Sequence, residues 1–384
     1  MKKRIGKRLT VPLAKPYFSS SEESRVREVL RSGWVTQGPA VAAFEEVVGR
    51  YTDAKYAVAT TSATTALFLS LYLLGIGPGD EVITPSFTFI ASTNVIMHVG
   101  ANPVFVDIDP STYNIDVSKI AKKITKKTKA ILSVDQFGLP CDYDLIRRIA
   151  EANCIYHISD AACALGSLYK GKRVGGITDI TCLSFHPRKV ITTGEGGMIV
   201  TNKKSFAQKA KILRHHGMSV SDLVRHHASV PINESYTEIG FNFRMSDVQA
   251  GIGNAQMEKI GFLLKKRAAI AEKYTRAFRD STEIIPPYVP SDVQPNWQSY
   301  IIRLTKGNRD EVMRRLLVDG IATRRGNLAV HQQEAYRGRQ FPVVLPETEK
   351  AAVQTLALPI FPQLTKHEQD YVIEKLLFYA KKSA

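Results

Sequence analysis

The apolar positions of this chain fall into two alternating patterns. Short runs that are nearly continuous in apolar residues end in polar residues or glycine: EVITPSF (81–87), PVFVDID (103–109), AILSVDQFG (130–138), CIYHISD (154–160), ITCLSFH (180–186) and GMIVTN (197–202). Such runs predict strands buried on both faces. Segments of helical spacing separate them, so residues 40–260 predict a large α/β domain around a mostly parallel sheet. Ahead of it, SSEESRVREVLRSG (20–33) predicts a helix, with serine at the cap, acids in the first turn and glycine past the end. Residues 1–39 therefore read as an N-terminal arm and helix. After about residue 260 the pattern changes to a long basic helix over 255–280, a Pro-rich passage (284–295), a strand-like SYIIRL, and helices near 309–319 and 365–382. Residues 261–384 predict a smaller C-terminal α+β lobe. The charge run IAKKITKKTKA (120–130) predicts the solvated side of a helix.

At 384 residues, with 44% hydrophobic and 23% charged, the chain has the composition of an ordinary soluble protein of two domains. It holds no apolar run near the roughly 18 residues that span a bilayer. Its basic start has no apolar stretch behind it, so a cytoplasmic protein is expected. Cys141, Cys154, Cys163 and Cys182 form no C-x-x-C pair and predict buried free thiols. The net charge of +16 favours anionic partners, among them nucleic acid, acidic membranes, phosphates and nucleotides. No RNA-binding aromatic signature or zinc-finger spacing accompanies it, so neither a nucleic-acid nor a membrane partner is expected.

Several chemistries lose support. There is no G-x-x-x-x-G-K-[ST] loop and no G-x-S-x-G elbow. The glycines of GEGG (194–197) lead into a strand, whereas a dinucleotide fingerprint follows a strand and opens a helix. The pairs His215–His216 and His226–His227 lie on a polar, basic stretch without nearby cysteine; they predict surface histidines and no metal site.

In a parallel sheet, ligands gather at the carboxyl ends of the strands, which selects Phe89, Asp160 and Ser184 to Lys189. Lys189 follows a buried run and precedes TTGEGG, whose glycines permit close approach of backbone to a ligand. An amine so placed can form a Schiff base. Asp160 ends another run and is followed by small residues; a carboxylate there can keep a pyridine nitrogen protonated, so that the ring acts as an electron sink. In TTSATTALFLSLYLLG (60–75), amides and the hydroxyls of Ser62, Thr64 and Thr65 at a helix start form an anion site. Lysine, strand-end aspartate and anion cradle together fit pyridoxal phosphate.

Almost end to end, the chain resembles the DegT/DnrJ/StrS family of pyridoxal-phosphate-dependent sugar aminotransferases. The resemblance is carried by GWVTQGPAVAAFEE (33–46), SATTALFLSL (62–71), GDEVITPSFTFIAS (79–92), GANPVFVDIDPSTYNID (100–116), SDAACALGS (159–167), SFHPRKVITTGEGGM (184–198), GFNFRMSDVQA (240–250) and LALPIFPQLT (356–365). It implies the aspartate-aminotransferase fold, fold type I. Lys189 would be the Schiff-base lysine and proton shuttle, and Asp160 the partner of the pyridine nitrogen. Phe89 would stack on the ring, while Thr64, the Ala63 amide and Ser184 would hold the phosphate. Asn242 and Arg244 would reach the phosphate of a neighbouring subunit's cofactor, which implies a homodimer with shared sites. His331 would stand on the substrate side. Cys163 occupies a position where the family usually carries Gln or His against the cofactor's ring oxygen. Ala63 replaces a frequent glycine, and TRRGNLAVHQQ (323–333) lacks the family's aromatic and proline residues.

The resemblance implies transfer of an amino group from an amino acid, glutamate being expected, to a nucleotide-linked keto sugar, a 4-keto-6-deoxyhexose. Relatives with histidine at the lysine position catalyse dehydration instead, and Lys189 argues for transamination. The alternatives are a cyclitol or 3-keto sugar as acceptor, or a basic regulatory protein without activity on the same fold.

Overall fold

In a computed structural model of the chain, residues 9–220, 233–336 and 343–383 are described. Seven apolar runs pair into one sheet: β1 (Tyr56–Thr60), β2 (Glu81–Pro85), β3 (Asn102–Val106), β4 (Thr128–Val134), β5 (Tyr156–Asp160), β6 (Ile180–Ser184) and β7 (Gly197–Thr201). Their order is β1-β7-β6-β5-β4-β2-β3. The contacts among β6, β5, β4, β2 and β3 are parallel, and β7 runs antiparallel to both of its neighbours. Every residue of β6 and β7 is buried, which explains their unbroken apolar character. The fold is the mostly parallel α/β arrangement expected.

Helices cover both faces. On one, α2 (Pro39–Tyr51) contributes Val41, Phe44 and Val48, and α5 (Tyr143–Ala152) contributes Tyr143 and Ile146. On the other, α3 (Ala63–Leu73), α4 (Ala91–His98) and α6 (Lys204–Leu213) bury Leu67, Leu69, Ile96 and Leu213. Before them, α1 (Ser20–Ser32) starts on a capping box between Ser19 and Glu22 and stops at Gly33, whose φ of 73° suits glycine. It packs on α7 (Asp247–Glu258).

The long basic helix expected over 255–280 is two helices, α7 and α8 (Ile260–Phe278), broken at Lys259. Lys259 Nζ reaches back to Glu22 Oε1 at 2.6 Å and to Ser19 and Ser21, tying the break to α1. α8 runs from the first core, through Ile260 and Leu263, to a third, through Ile270, Tyr274 and Phe278. That third core is closed by α9 (Arg309–Val318), α11 (Lys366–Ser383) and an antiparallel sheet. The sheet contains β8 (Ile284–Ile285), β9 (Tyr300–Leu304), β10 (Arg324–Arg325) and β11 (Thr355–Leu358) in the order β8-β9-β11-β10. Between them lies α10 (Pro346–Gln354), a helix that the apolar spacing does not predict.

Two further expectations need correction. Residues 120–130 form no helix: two 3₁₀ turns at 117–119 and 121–123 lead into β4. Thr128 Oγ1 accepts from Thr125 N at 2.9 Å and Thr125 Oγ1 donates to Glu81 at 2.6 Å, so side chains take the place of the helical ladder. Of the four free thiols, Cys141 and Cys182 are buried, Cys163 is half-buried, and Cys154 is exposed on a left-handed turn. No helix among the described residues is long and apolar enough to cross a membrane.

Candidate active site

Strands β5 and β6 are parallel neighbours, with Asp160 opposite Cys182, so the loops that leave them emerge at the same edge of the sheet. There a cavity of about 270 Å³ opens. Ala63, Thr64, Phe89, Asp160, Cys163, Ser184 and Lys189 line it. Asn242, Arg244 and His331 do not.

Asp160 is buried at the tip of β5. Its Oδ2 accepts from Ser92 Oγ at 2.6 Å and its Oδ1 from Ala162 N at 3.1 Å. Burial pushes the carboxyl above its ordinary range, and both hydrogen bonds and the charge of Lys189 oppose that shift. Lys189 sits in the turn after β6, where its amide donates to His186 O at 2.8 Å. Its Nζ donates to Cys163 Sγ at 3.1 Å. The thiol at the position expected to face a cofactor oxygen therefore lies against the lysine amine.

The start of α3 supplies the third element. Ser62 caps the helix and forms a reciprocal box with Thr65, so both of those hydroxyls are committed to the cap. The amides of Ala63 and Thr64 have no hydrogen-bond partner among the described residues, and both residues line the cavity. Gly197 permits this packing, since a Cβ there would lie 2.2 Å from the Ser62 carbonyl carbon. Phe89 is 52% exposed although it lines a cavity, which leaves its ring available to a planar ligand. Unpaired helix-start amides for a phosphate, a buried carboxylate for a pyridine nitrogen, an aromatic face and an amine converge, and they fit pyridoxal phosphate.

GFNFR runs beside α3 outside the cavity. Thr61 N donates to Phe243 O at 3.1 Å, and the stacked rings of Phe241 and Phe243 meet Phe68 edge on. Arg244 Nε donates to Asn242 Oδ1 at 3.0 Å, and its Nη1 lies 2.9 Å from His215 Nδ1. His215, expected on the surface, is buried because the 213–216 turn pairs with this segment; His216 is exposed. His226 and His227 lie outside the described residues. Among the described residues no group of three or more His, Cys, Asp or Glu could hold a metal ion. His331 is held away from the cavity, with Nδ1 2.7 Å from Ser86 Oγ and Nε2 3.2 Å from Glu349 Oε1.

Other residues at the cavity escaped sequence reasoning. Ser92 lies seven residues past the end of β2, in α4, beyond the reach of a strand-tip rule. Arg188 stands next to Lys189 in the same turn. Arg324, Arg325 and Asn327 arrive from the C-terminal part because Phe87–Thr88 pairs antiparallel with Leu328–Ala329. No local signal announces a contact across some 240 residues of chain.

The sequence profile of the DegT/DnrJ/EryC1/StrS aminotransferase family matches residues 16–377. The chain is 39% identical over 362 residues to an uncharacterized protein, MJ1066, of Methanocaldococcus jannaschii, covering 92% of this chain and 94% of that protein. It is 36% identical over 375 residues to the spore coat polysaccharide biosynthesis protein SpsC of Bacillus subtilis strain 168, covering 95% of each. The fold superposes on Spr1654 of Streptococcus pneumoniae, a candidate sugar aminotransferase, with a TM-score of 0.93 at 31% identity over 98% of this chain and 100% of the other. That protein has been solved in forms carrying pyridoxal phosphate and pyridoxamine phosphate. The chain thus belongs to the DegT/DnrJ/EryC1/StrS aminotransferase family, a family of pyridoxal-phosphate-dependent sugar aminotransferases.

Proposed function

We propose that this enzyme moves an amino group from glutamate to a nucleotide-linked 4-keto-6-deoxyhexose. The observation that carries the reading is the convergence of the Lys189 amine, the buried Asp160 carboxylate and the free amides of Ala63 and Thr64 on one cavity. The net charge of +16 supports an anionic, nucleotide-bearing acceptor.

Pyridoxal phosphate, when bound, supplies a ring that takes up the electron pair released as the donor's α-hydrogen leaves as a proton. Lys189 provides the amine that bonds the cofactor. Once displaced by the donor, Lys189 Nζ would accept the α-proton and return it two bonds away, on the far side of the transferred nitrogen, and the same motions in reverse would serve the keto sugar. Cys163 Sγ accepts a hydrogen bond from that amine, and Asp160 would set its negative charge beside the ring nitrogen. Phe89 would cover the ring, while Ala63, Thr64 and Ser184 would hold the phosphate. His331 braces the strand end at Ser86 from behind. The arm 1–39, domain 40–260 and lobe 261–384 are the units of the proposal, and its setting is the cytoplasm. Purified protein with glutamate and candidate keto sugars, its product identified by mass and NMR, tests the reading; no amination of any nucleotide-linked sugar refutes it.

Ser92→Ala tests the support of Asp160. Removing its 2.6 Å hydrogen bond takes away the largest influence that favours the carboxylate, so the Asp160 pKa rises further. Asp160 must be ionised to act, so the pH below which activity is lost should move upward in a kcat/KM profile. An acid limb that stays in place would show that Ser92 does not tune Asp160.

The proposal includes a homodimer. Asn242 and Arg244 lie outside their own cavity, and a guanidinium can bind two phosphate oxygens of a second copy's cofactor as a planar fork. Lys189→Ala refolded together with an Asn242→Ala/Arg244→Ala variant should regain activity in part, since one site of each mixed dimer is intact. Mixed dimers without recovered activity would reject shared sites.

A further inference from the structure

Three guanidiniums line the cavity besides the residues assigned above: Arg188, Arg324 and Arg325. Arg188 comes from the Lys189 turn, and its carbonyl is fixed by Gln298 Nε2 at 2.5 Å. Arg324 and Arg325 form β10, registered against Ala357 and Leu356. Among the described residues none of the three has an ion-pair or hydrogen-bond partner for its guanidinium. The cavity's acids are committed elsewhere or unpaired with them. Asp160 is held by Ser92 and Ala162, Asp135 by Tyr143 and Ser159, and Glu195 makes no ion pair to any of the arginines.

Arg324 is half-buried, whereas Arg188 and Arg325 are exposed, and the like charges of the three oppose one another. Burial and the charges of Arg188 and Arg325 push the Arg324 guanidinium below its ordinary range, and the nearby Cys163 opposes this. Cys163 in turn touches Lys189, so the cluster adjoins the reacting amine. No acidic side chain among the described residues pairs with the cluster to relieve the crowding; a bound anion would.

We propose that Arg188, Arg324 and Arg325 form an oxyanion site that binds a carboxylate or phosphate group carried by one of the substrates. Both groups present paired oxygens that a guanidinium fork matches. The proposal rests on the aminotransferase reading. The two sources are the carboxylates of the amino donor and the diphosphate of the acceptor.

The test uses cofactor-loaded protein reduced with borohydride, which cannot turn over, titrated calorimetrically with 2-oxoglutarate and with inorganic pyrophosphate. Wild type should bind at least one of them. Arg188→Gln, Arg324→Gln and Arg325→Gln should each weaken that binding about tenfold or more, and Arg324→Lys should restore only part. Loss confined to 2-oxoglutarate assigns the site to the donor; loss confined to pyrophosphate assigns it to the acceptor; loss of both supports a shared site. Without an anion, Arg324→Gln should melt no lower than wild type, because it relieves like-charge crowding. Wild type that binds neither anion, or variants that bind as wild type does, would overturn the proposal. Failure of the aminotransferase reading shows itself separately, as protein in which borohydride fixes no cofactor, and the titration of untreated protein still reads the arginine site.

Discussion

Replacing Lys189 by alanine is expected to leave a folded protein whose transamination is slower by about 10⁴-fold or more. The side chain is both the attachment point for the cofactor and the base placed to move the α-proton. Its Nζ bonds to Cys163 and to no other described residue, so little of the fold depends on it. Single-turnover absorbance with glutamate measures the loss. A small primary amine in the buffer should restore part of the proton transfer but not the covalent link. Turnover within tenfold of wild type would remove Lys189 from the chemistry.

Asp160→Asn is the second large effect. The cofactor's ring nitrogen would lose its buried counter-charge, and breaking such a pair costs about 3–5 kcal/mol, on the order of 10²–10⁴-fold in rate. Stability should move the other way. The carboxyl's pKa in the folded chain lies above its ordinary value of 3.8. As pH rises past that ordinary value, the unfolded chain releases the proton first, so cofactor-free stability falls until the folded value is passed, and the cost persists at neutral pH. Asparagine carries no such cost. The cofactor-free variant should therefore melt at pH 7 no lower than wild type, while the Tm gained on adding cofactor shrinks. A variant that transaminates at the wild-type rate would mean another acid faces the ring.

Those two residues were legible because each follows a run of apolar residues that could only be a buried strand, and strand ends in a parallel sheet share an edge. The cradle at Ala63 and Thr64 was legible for a similar reason: small hydroxyl residues ahead of an apolar helix mark its start. The features that stayed hidden depend on contacts with no periodicity. The 120–130 lysines follow a helical spacing, yet Thr125 and Thr128 bond to each other and to Glu81 and end it. His215 sits in a polar stretch, and only pairing with Asn242 buries it. Arg324 and Arg325 reach the cavity through a two-residue strand pair at Phe87–Thr88, a link that composition cannot suggest.

The most direct test of the account is the identity of the lysine that bonds the cofactor. Wild-type protein is saturated with pyridoxal phosphate, reduced with borohydride, digested, and its pyridoxyl-bearing peptide sequenced by mass spectrometry. The label is expected on Lys189, within the peptide that joins β6 to β7, and to be absent from the Asp160-bearing peptide and from every other lysine. A label on a different lysine, or reduced protein that carries none, would contradict the assignment.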